Sequence, residues 1–255
     1  MRTETDDGVR RVTFDRPGVM NAFTADLAAD LAAEIESLDP ETHDALVLTG
    51  EGPAFSAGGD IQSMAEREED VRDAYERVED TFGRLAEAAM ASRVPIVARV
   101  NGDAVGAGLA VVALSDFAYA VPDASFSCAF VRVGLVPDTG GSYLLPRLVG
   151  LREAKRLAFT AEFVDAAEAA DLGLVNEAVP EDELDAAVED CLETLRARPT
   201  RTVGAIRQAL HDNLGREWRN GLDHENLVQS QAYDTAEHEE GVAAFLEGRD
   251  PEFQS

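Results

Sequence analysis

Ala54-Phe55-Ser56-Ala57-Gly58-Gly59-Asp60-Ile61 follows a short apolar run, Ala45-Leu46-Val47-Leu48-Thr49, and a polar break at Gly50-Glu51-Gly52-Pro53. The pattern reads as a buried strand, a loop and a glycine-rich turn opening into a helix. Glycine lets the backbone approach a ligand closely, and free N–H groups at a helix start favour negative charge. A second junction of the same kind lies further on. Val94-Pro95-Ile96-Val97-Ala98-Arg99-Val100 reads as a strand, and Asn101-Gly102-Asp103-Ala104-Val105-Gly106-Ala107-Gly108 carries it into an apolar helix. Two strand–glycine–helix junctions could aim two backbone donors at one developing oxyanion.

Around these junctions, short strands and helices alternate through the first two-thirds of the chain. Strands are expected at 9–14, 45–49, 94–100, 116–120 and 125–126. Helices are expected at 25–38, 64–90 and 106–114, the first capped by Thr24. From about residue 140 onward the pattern is helical. This order argues an α/β fold with a helical C-terminal part, divided here as a core over 1–197 and a helical region over 198–255. The charged stretch Glu66-Arg67-Glu68-Glu69-Asp70 is expected to be a solvated face of the 64–90 helix.

The 255 residues carry 50 acidic against 22 basic side chains, a net charge of −28, with Lys155 the one lysine. The acids spread along the whole chain. Such a surface repels nucleic acid and anionic membranes, and it self-repels where salt is low. A cytoplasmic protein of a high-salt organism is the expectation. The N-terminal Met1-Arg2-Thr3-Glu4-Thr5-Asp6-Asp7 is unlike a secretory signal. Cys128 and Cys191 show neither disulfide-framework nor metal-site spacing, and His43, His211, His224 and His238 form no ligand motif. No metal and no separate cofactor is expected.

The chain resembles the crotonase, or enoyl-CoA hydratase/isomerase, superfamily. The resemblance rests on Arg16-Pro17-Gly18-Val19-Met20-Asn21-Ala22-Phe23, the two junctions, Gly134-Leu135-Val136-Pro137-Asp138-Thr139-Gly140-Gly141, and Phe245-Leu246-Glu247-Gly248-Arg249-Asp250-Pro251-Glu252-Phe253. It implies a spiral of ββα units whose C-terminal helices build a homo-trimer or dimer of trimers. It also implies an acyl-CoA thioester as substrate, its carbonyl oxygen held by the N–H groups of Gly59 and Ala107. Ala22, Ala57, Gly59 and Ile61 are expected to line the adenine and pantetheine path by their backbone, with Asp60 in the turn and Phe130 at the acyl end. Where many relatives place a lysine for the CoA phosphates this chain has Gln62; Arg249 is a candidate replacement.

The resemblance is much less specific for the reaction. Crotonase-type hydratases use two glutamates, and at the matching positions this chain has Ala110 and Phe130. Neither can hold a water or move a proton, and hydration needs both. Asp138 resembles the acidic residue of the isomerase branch, including epoxyphenylacetyl-CoA isomerases, where one acid/base suffices to shift a double bond. Its alternative role is a helix N-cap, which Thr139 could also fill. Asp60 is read chiefly as a turn-holding residue, Glu162 as a surface residue, and Arg16 and Arg99 as local turn contacts. The sequence leaves three readings: an enoyl-CoA isomerase, a hydratase with a shifted acid/base set, and a silent acyl-CoA binder.

Overall fold

The computed structural model describes residues 1–253. Strands β1 (Arg2–Asp6) and β2 (Val9–Phe14) form a hairpin and lead into helix α1 (Ala25–Glu36). Next come β3 (Ala45–Gly50), β4 (Ala54–Ser56), α2 (Ile61–Ala65), α3 (Val71–Val78) and α4 (Arg84–Ala91). β5 (Ile96–Val100), β6 (Asp103–Val105) and α5 (Ala107–Leu114) follow, then β7 (Phe117–Ala120) and β8 (Ser125–Ser127). The remainder comprises α6 (Gly141–Leu148), α7 (Gly150–Thr160), β9 (Val164–Asp165), α8 (Ala166–Asp171), β10 (Glu177–Ala178), α9 (Leu184–Arg196), α10 (Thr200–Asn213), α11 (Trp218–Ala232) and α12 (Ala236–Glu247).

The larger sheet runs β1-β2-β3-β5-β7-β10 and the smaller runs β4-β6-β8-β9. Apart from the antiparallel pairs β1–β2 and β8–β9, all neighbours are parallel. Three times the chain passes from a strand of the larger sheet to a short strand of the smaller one and then into helical structure. This is the expected ββα spiral. Parallel strands need covered faces, and β3 reads accordingly: Ala45, Leu46, Val47 and Leu48 are all buried. Leu46 and Leu48 face the main core, whereas Val47 packs with Val97 beneath Val188 and Leu192 of α9.

Several elements depart from expectation. β1 is exposed at all five residues and so carries no apolar alternation; it joins the sheet only by pairing with β2. The expected long helix 64–90 is broken once. Asp70 caps α3 through the Arg72 and Asp73 N–H groups, and α3 continues through a π-helical turn at Glu79–Gly83 into α4. The acidic 66–70 segment is therefore the break between α2 and α3, not a helical face. The two-residue strands β9 and β10 lie within the stretch read as purely helical.

Thr24 does cap α1, accepting from the Leu27 N–H at 3.1 Å, and Leu27, Ala28, Leu31, Ala32 and Ile35 form its buried face. Below the first junction, the Phe14 ring meets Phe23 and Phe55 edge-on at 5.1 and 5.4 Å. Each such pair contributes about 0.5–1.5 kcal/mol beyond burial, and together they lock β2, the 16–23 segment and β4 into one block.

Candidate active site

The first junction is built by a buried polar network. Asn21 is fully buried with a left-handed backbone, φ 56°. Its Nδ2 donates to the carbonyls of Glu51 and Ala54 at 2.9 and 2.8 Å, and its Oδ1 accepts from the Arg16 N–H at 2.9 Å. The Ser56 hydroxyl donates to the Asn21 carbonyl at 2.9 Å and accepts from the Gly58 N–H at 3.2 Å. The polar side chains of Asn21 and Ser56 are thus both paired within the turn. Asn21 and Ser56 stand within the sequence motifs, and it is their burial that marks them as the builders of this turn.

Gly59 comes next. Phe23 donates to the Gly58 carbonyl at 2.6 Å and accepts from the Asp60 N–H at 2.9 Å, the two bonds of a parallel bridge centred on Gly59. In such a bridge the central residue's own N–H points away from its partner. The Gly59 N–H is therefore directed away from Phe23; β4, just before it, pairs on its own free side with β6.

That side is where the second junction sits. The Cα atoms leave no room for side chains: a Cβ on Gly58 would lie 2.7 Å from the Val105 carbonyl oxygen, and one on Gly108 would lie 2.6 Å from the Ser56 oxygen. Gly106 has φ 53° and ψ −115°, donates its N–H to the Ser127 carbonyl at 2.8 Å, and turns the chain into α5. Ala107 is the first residue of that helix, where N–H groups have no intrahelical partner. Among the described residues, neither the Gly59 nor the Ala107 N–H donates to a protein acceptor. All eight residues of α5 are buried, so the positive end of its dipole meets the junction with little screening.

Asp138 lies in the turn that leads into α6. The Gly140–Gly141 pair that follows it packs on α5 and α4: a Cβ on Gly141 would sit 3.6 Å from that of Ala110, and one on Gly140 would sit 3.3 Å from Leu114. Asp138 does not cap α6. Gly140 occupies the N-cap position without a side-chain bond, and Thr139 donates its hydroxyl to Asp138 Oδ1 at 2.9 Å. Thr139 is buried and left-handed, φ 53°, a conformation that strains a β-branched residue by about 1–3 kcal/mol. Burial pushes the Asp138 carboxyl above its usual range, against the pull of the Thr139 hydroxyl and the Arg77 charge.

Other sequence-predicted residues fall as follows. Ala57 and Gly59 are half-buried, Ala22 is buried and Ile61 is exposed. Asp60 caps α2 through the Ser63 N–H at 3.0 Å and pairs with Arg16 at 2.9 Å, and these bonds hold its carboxyl below the usual range. Its side chain is committed to the turn and its charge is not free for a ligand. Arg16 also donates to the Ala22 carbonyl, a local turn contact. Arg99 instead reaches across to Asp185 at 2.6 Å. Glu162 pairs with Arg156, which also binds Glu153 and Glu168. Arg249 is bound by Glu240 and Glu247, so within this chain its charge is already neutralised and it does not stand free for a phosphate. Phe130 packs at the edge of the core. Burial raises the Cys128 thiol to about 11, which keeps it un-ionised and unreactive. Among the described residues no cluster of His, Cys, Asp or Glu has metal-binding geometry, and no helix is long and apolar enough to cross a membrane.

A sequence model of the Enoyl-CoA hydratase/isomerase family matches residues 4–255. The chain belongs to the enoyl-CoA hydratase/isomerase family. A probable enoyl-CoA hydratase of Rhodobacter capsulatus is 36% identical, covering 99% of this chain and 97% of that one. A 1,2-epoxyphenylacetyl-CoA isomerase of Escherichia coli is 31% identical, covering 98% and 97%. The crystal structure of an enoyl-CoA hydratase from Mycobacterium smegmatis superposes with a TM-score of 0.92 at 32% identity, covering 100% of this chain and 98% of that one. Enoyl-CoA hydratase/isomerase enzymes act on acyl-CoA thioesters, and this chain is an acyl-CoA enzyme of that family. Both hydratases and isomerases stand among its relatives.

Proposed function

We propose that this family member is an enoyl-CoA isomerase that shifts a double bond through an enolate. The observation that carries the reading is the single carboxyl of Asp138, raised by burial and carried on the turn whose Gly140 and Gly141 pack against Ala110 and other apolar residues of α5 and α4. In the proposed cycle the thioester oxygen accepts from the Gly59 and Ala107 N–H groups. The Asp138 carboxylate takes a proton from C2 of a 3-enoyl thioester. The C2–H electrons form the C1–C2 double bond of a dienolate, and negative charge moves onto the oxygen. The dienolate then collapses to the 2-enoyl thioester as C4 takes the proton back from Asp138. One fixed donor of this kind is worth roughly 3–4 kcal/mol in the transition state. A carboxyl less acidic than usual is a stronger base once ionised, which suits removal of a carbon-bound proton.

The experiment supplies 3-enoyl-CoA and follows the rise of conjugated-thioester absorbance, with 2-enoyl-CoA and the fall of that absorbance as the counter-assay. Turnover of the first and not the second is expected. Loss of 2-enoyl-CoA absorbance with no action on the 3-isomer would establish the hydratase reading, which the names of several relatives favour. Binding of acyl-CoA with neither reaction would leave a silent binder.

The reading extends to assembly and setting. Ile206, Leu210, Trp218, Leu222, Phe245 and Leu246 are exposed on the C-terminal helices, and a homo-trimer or dimer of trimers would cover such a face. With net charge −28, we expect a high-salt setting in which thermal stability climbs as KCl is raised. A melting temperature that does not change between salt-free buffer and molar KCl would refute this.

A further inference from the structure

We propose that Thr139 is the positioning residue for Asp138: its hydroxyl holds Oδ1 by a hydrogen bond and leaves Oδ2 as the oxygen that carries the proton. The inference rests on the reading of Asp138 as acid/base.

Three observations support it. The Thr139 hydroxyl donates to Asp138 Oδ1 at 2.9 Å, and among the described residues no side chain or backbone group of another residue donates to Oδ2. Thr139 is buried, and its left-handed backbone, φ 53°, is one that threonine adopts only at a cost. A glycine would relieve that strain, and glycine already occupies the next two positions. A helix-capping role would explain threonine here, but the cap position is Gly140 and no side chain fills it. What threonine adds over glycine at this place is the hydroxyl on the carboxylate.

The direction of the effect follows from electrostatics. A hydrogen bond to the ionised form favours that form. Burial acts the other way and is the larger influence. The neighbouring elements offer little else: α4, α5 and α6 contribute Ala86, Ala110, Leu114 and Leu144 against the turn, none of them ionisable. The one cation acting on Asp138 is Arg77 of α3, and it is itself held bidentate by Glu69 at 2.6 and 2.8 Å. With Arg77 partly neutralised, the hydroxyl of Thr139 is the leading close contact, ahead of Asp138's own backbone N–H, that favours the ionised carboxylate and fixes it.

The test is the pH dependence of kcat for 3-enoyl-CoA isomerisation by the full-length protein. Thr139→Val keeps the branched shape and loses the donor. Its acid limb is expected to move up by about one pH unit, the size of one hydrogen bond to a charged group. Thr139→Ser keeps the donor and is expected to stay within a few tenths of a unit of the parent. If the valine variant does not fold, Thr139→Gly removes the donor while relieving strain, and its limb must rise relative to serine. A valine or glycine profile superimposed on the parent, with Asp138→Asn inactive, would overturn the role of Thr139. Retained activity in Asp138→Asn would instead remove the reading beneath it.

Discussion

Asp138→Asn is expected to lower kcat on 3-enoyl-CoA by about a hundred- to ten-thousand-fold, the range for loss of a positioned general base, while leaving the protein as stable as before or more so. The second half follows from the sign of the shift. Burial raises the folded-state value of this carboxyl above its ordinary one. The folded state therefore binds the proton more tightly than the unfolded chain. The stability this contributes is fully present below the unfolded value and is lost as pH rises through the folded value. At neutral pH the ionised carboxylate is a net cost to folding. Asparagine keeps an oxygen for the Thr139 hydroxyl and carries no charge, so the melting temperature at pH 7 should hold or rise. The gap to the parent should shrink as pH falls into the acid range. A residue that is costly to the fold and necessary for turnover is what a catalytic group looks like. Near-parental kcat in the variant would exclude Asp138 from the chemistry.

Arg207→Ala should be the most damaging single change to stability, about 3–5 kcal/mol, as for removal of one partner of a buried ion pair. Arg207 is 5% exposed. Its Nε bonds both Asp116 oxygens at 3.0 and 2.8 Å, and its terminal nitrogens reach the Ser92 and Ala89 carbonyls at 2.6 and 2.7 Å. Those carbonyls end α4, where no intrahelical donors remain. Asp116 in turn accepts from the Ile96 N–H at 2.8 Å at the start of β5. One guanidinium thus caps α4, docks α10 and ties both to the strand that leads into the second junction. Gly204, one turn earlier, permits the approach, since a Cβ there would lie 2.5 Å from the Arg93 oxygen. Chemical denaturation with Asp116→Ala as the second arm of a double-mutant cycle reads the coupling. A midpoint unchanged in Arg207→Ala would show that α10 is held by other contacts.

What the sequence disclosed differs between these two residues for a physical reason. Asp138 stands between a proline and two glycines after an apolar run, so its place in a turn could be read directly. That it binds Thr139 and does not cap α6 could not, because the choice depends on the left-handed backbone of residues 139 and 140. Arg207 stands between Ile206 and Gln208 in an amphipathic stretch and looks like any solvated arginine. Only the packing of a remote helix end buries it. The two junctions were legible because short apolar runs followed by glycines mark them locally. The hairpin strand β1 was not, because exposure on every residue erases alternation. The break at 66–70 was hidden in helix-favouring charges whose Asp70 serves as a cap. Arg249 showed its charge in the sequence but not its partners Glu240 and Glu247.

The proposed enolate chemistry needs the N–H groups at 59 and 107 to serve one oxygen. Ala107→Pro puts a ring methylene where one of them points, and the fold should tolerate it, because proline is accepted at the first position of a helix and that N–H has no partner in the fold. Steady-state kinetics of this variant on 3-enoyl-CoA should show kcat reduced by about a hundred- to a thousand-fold, with circular dichroism and melting temperature close to the parent. A folded Ala107→Pro protein that turns over within a few-fold of the parent would contradict the account.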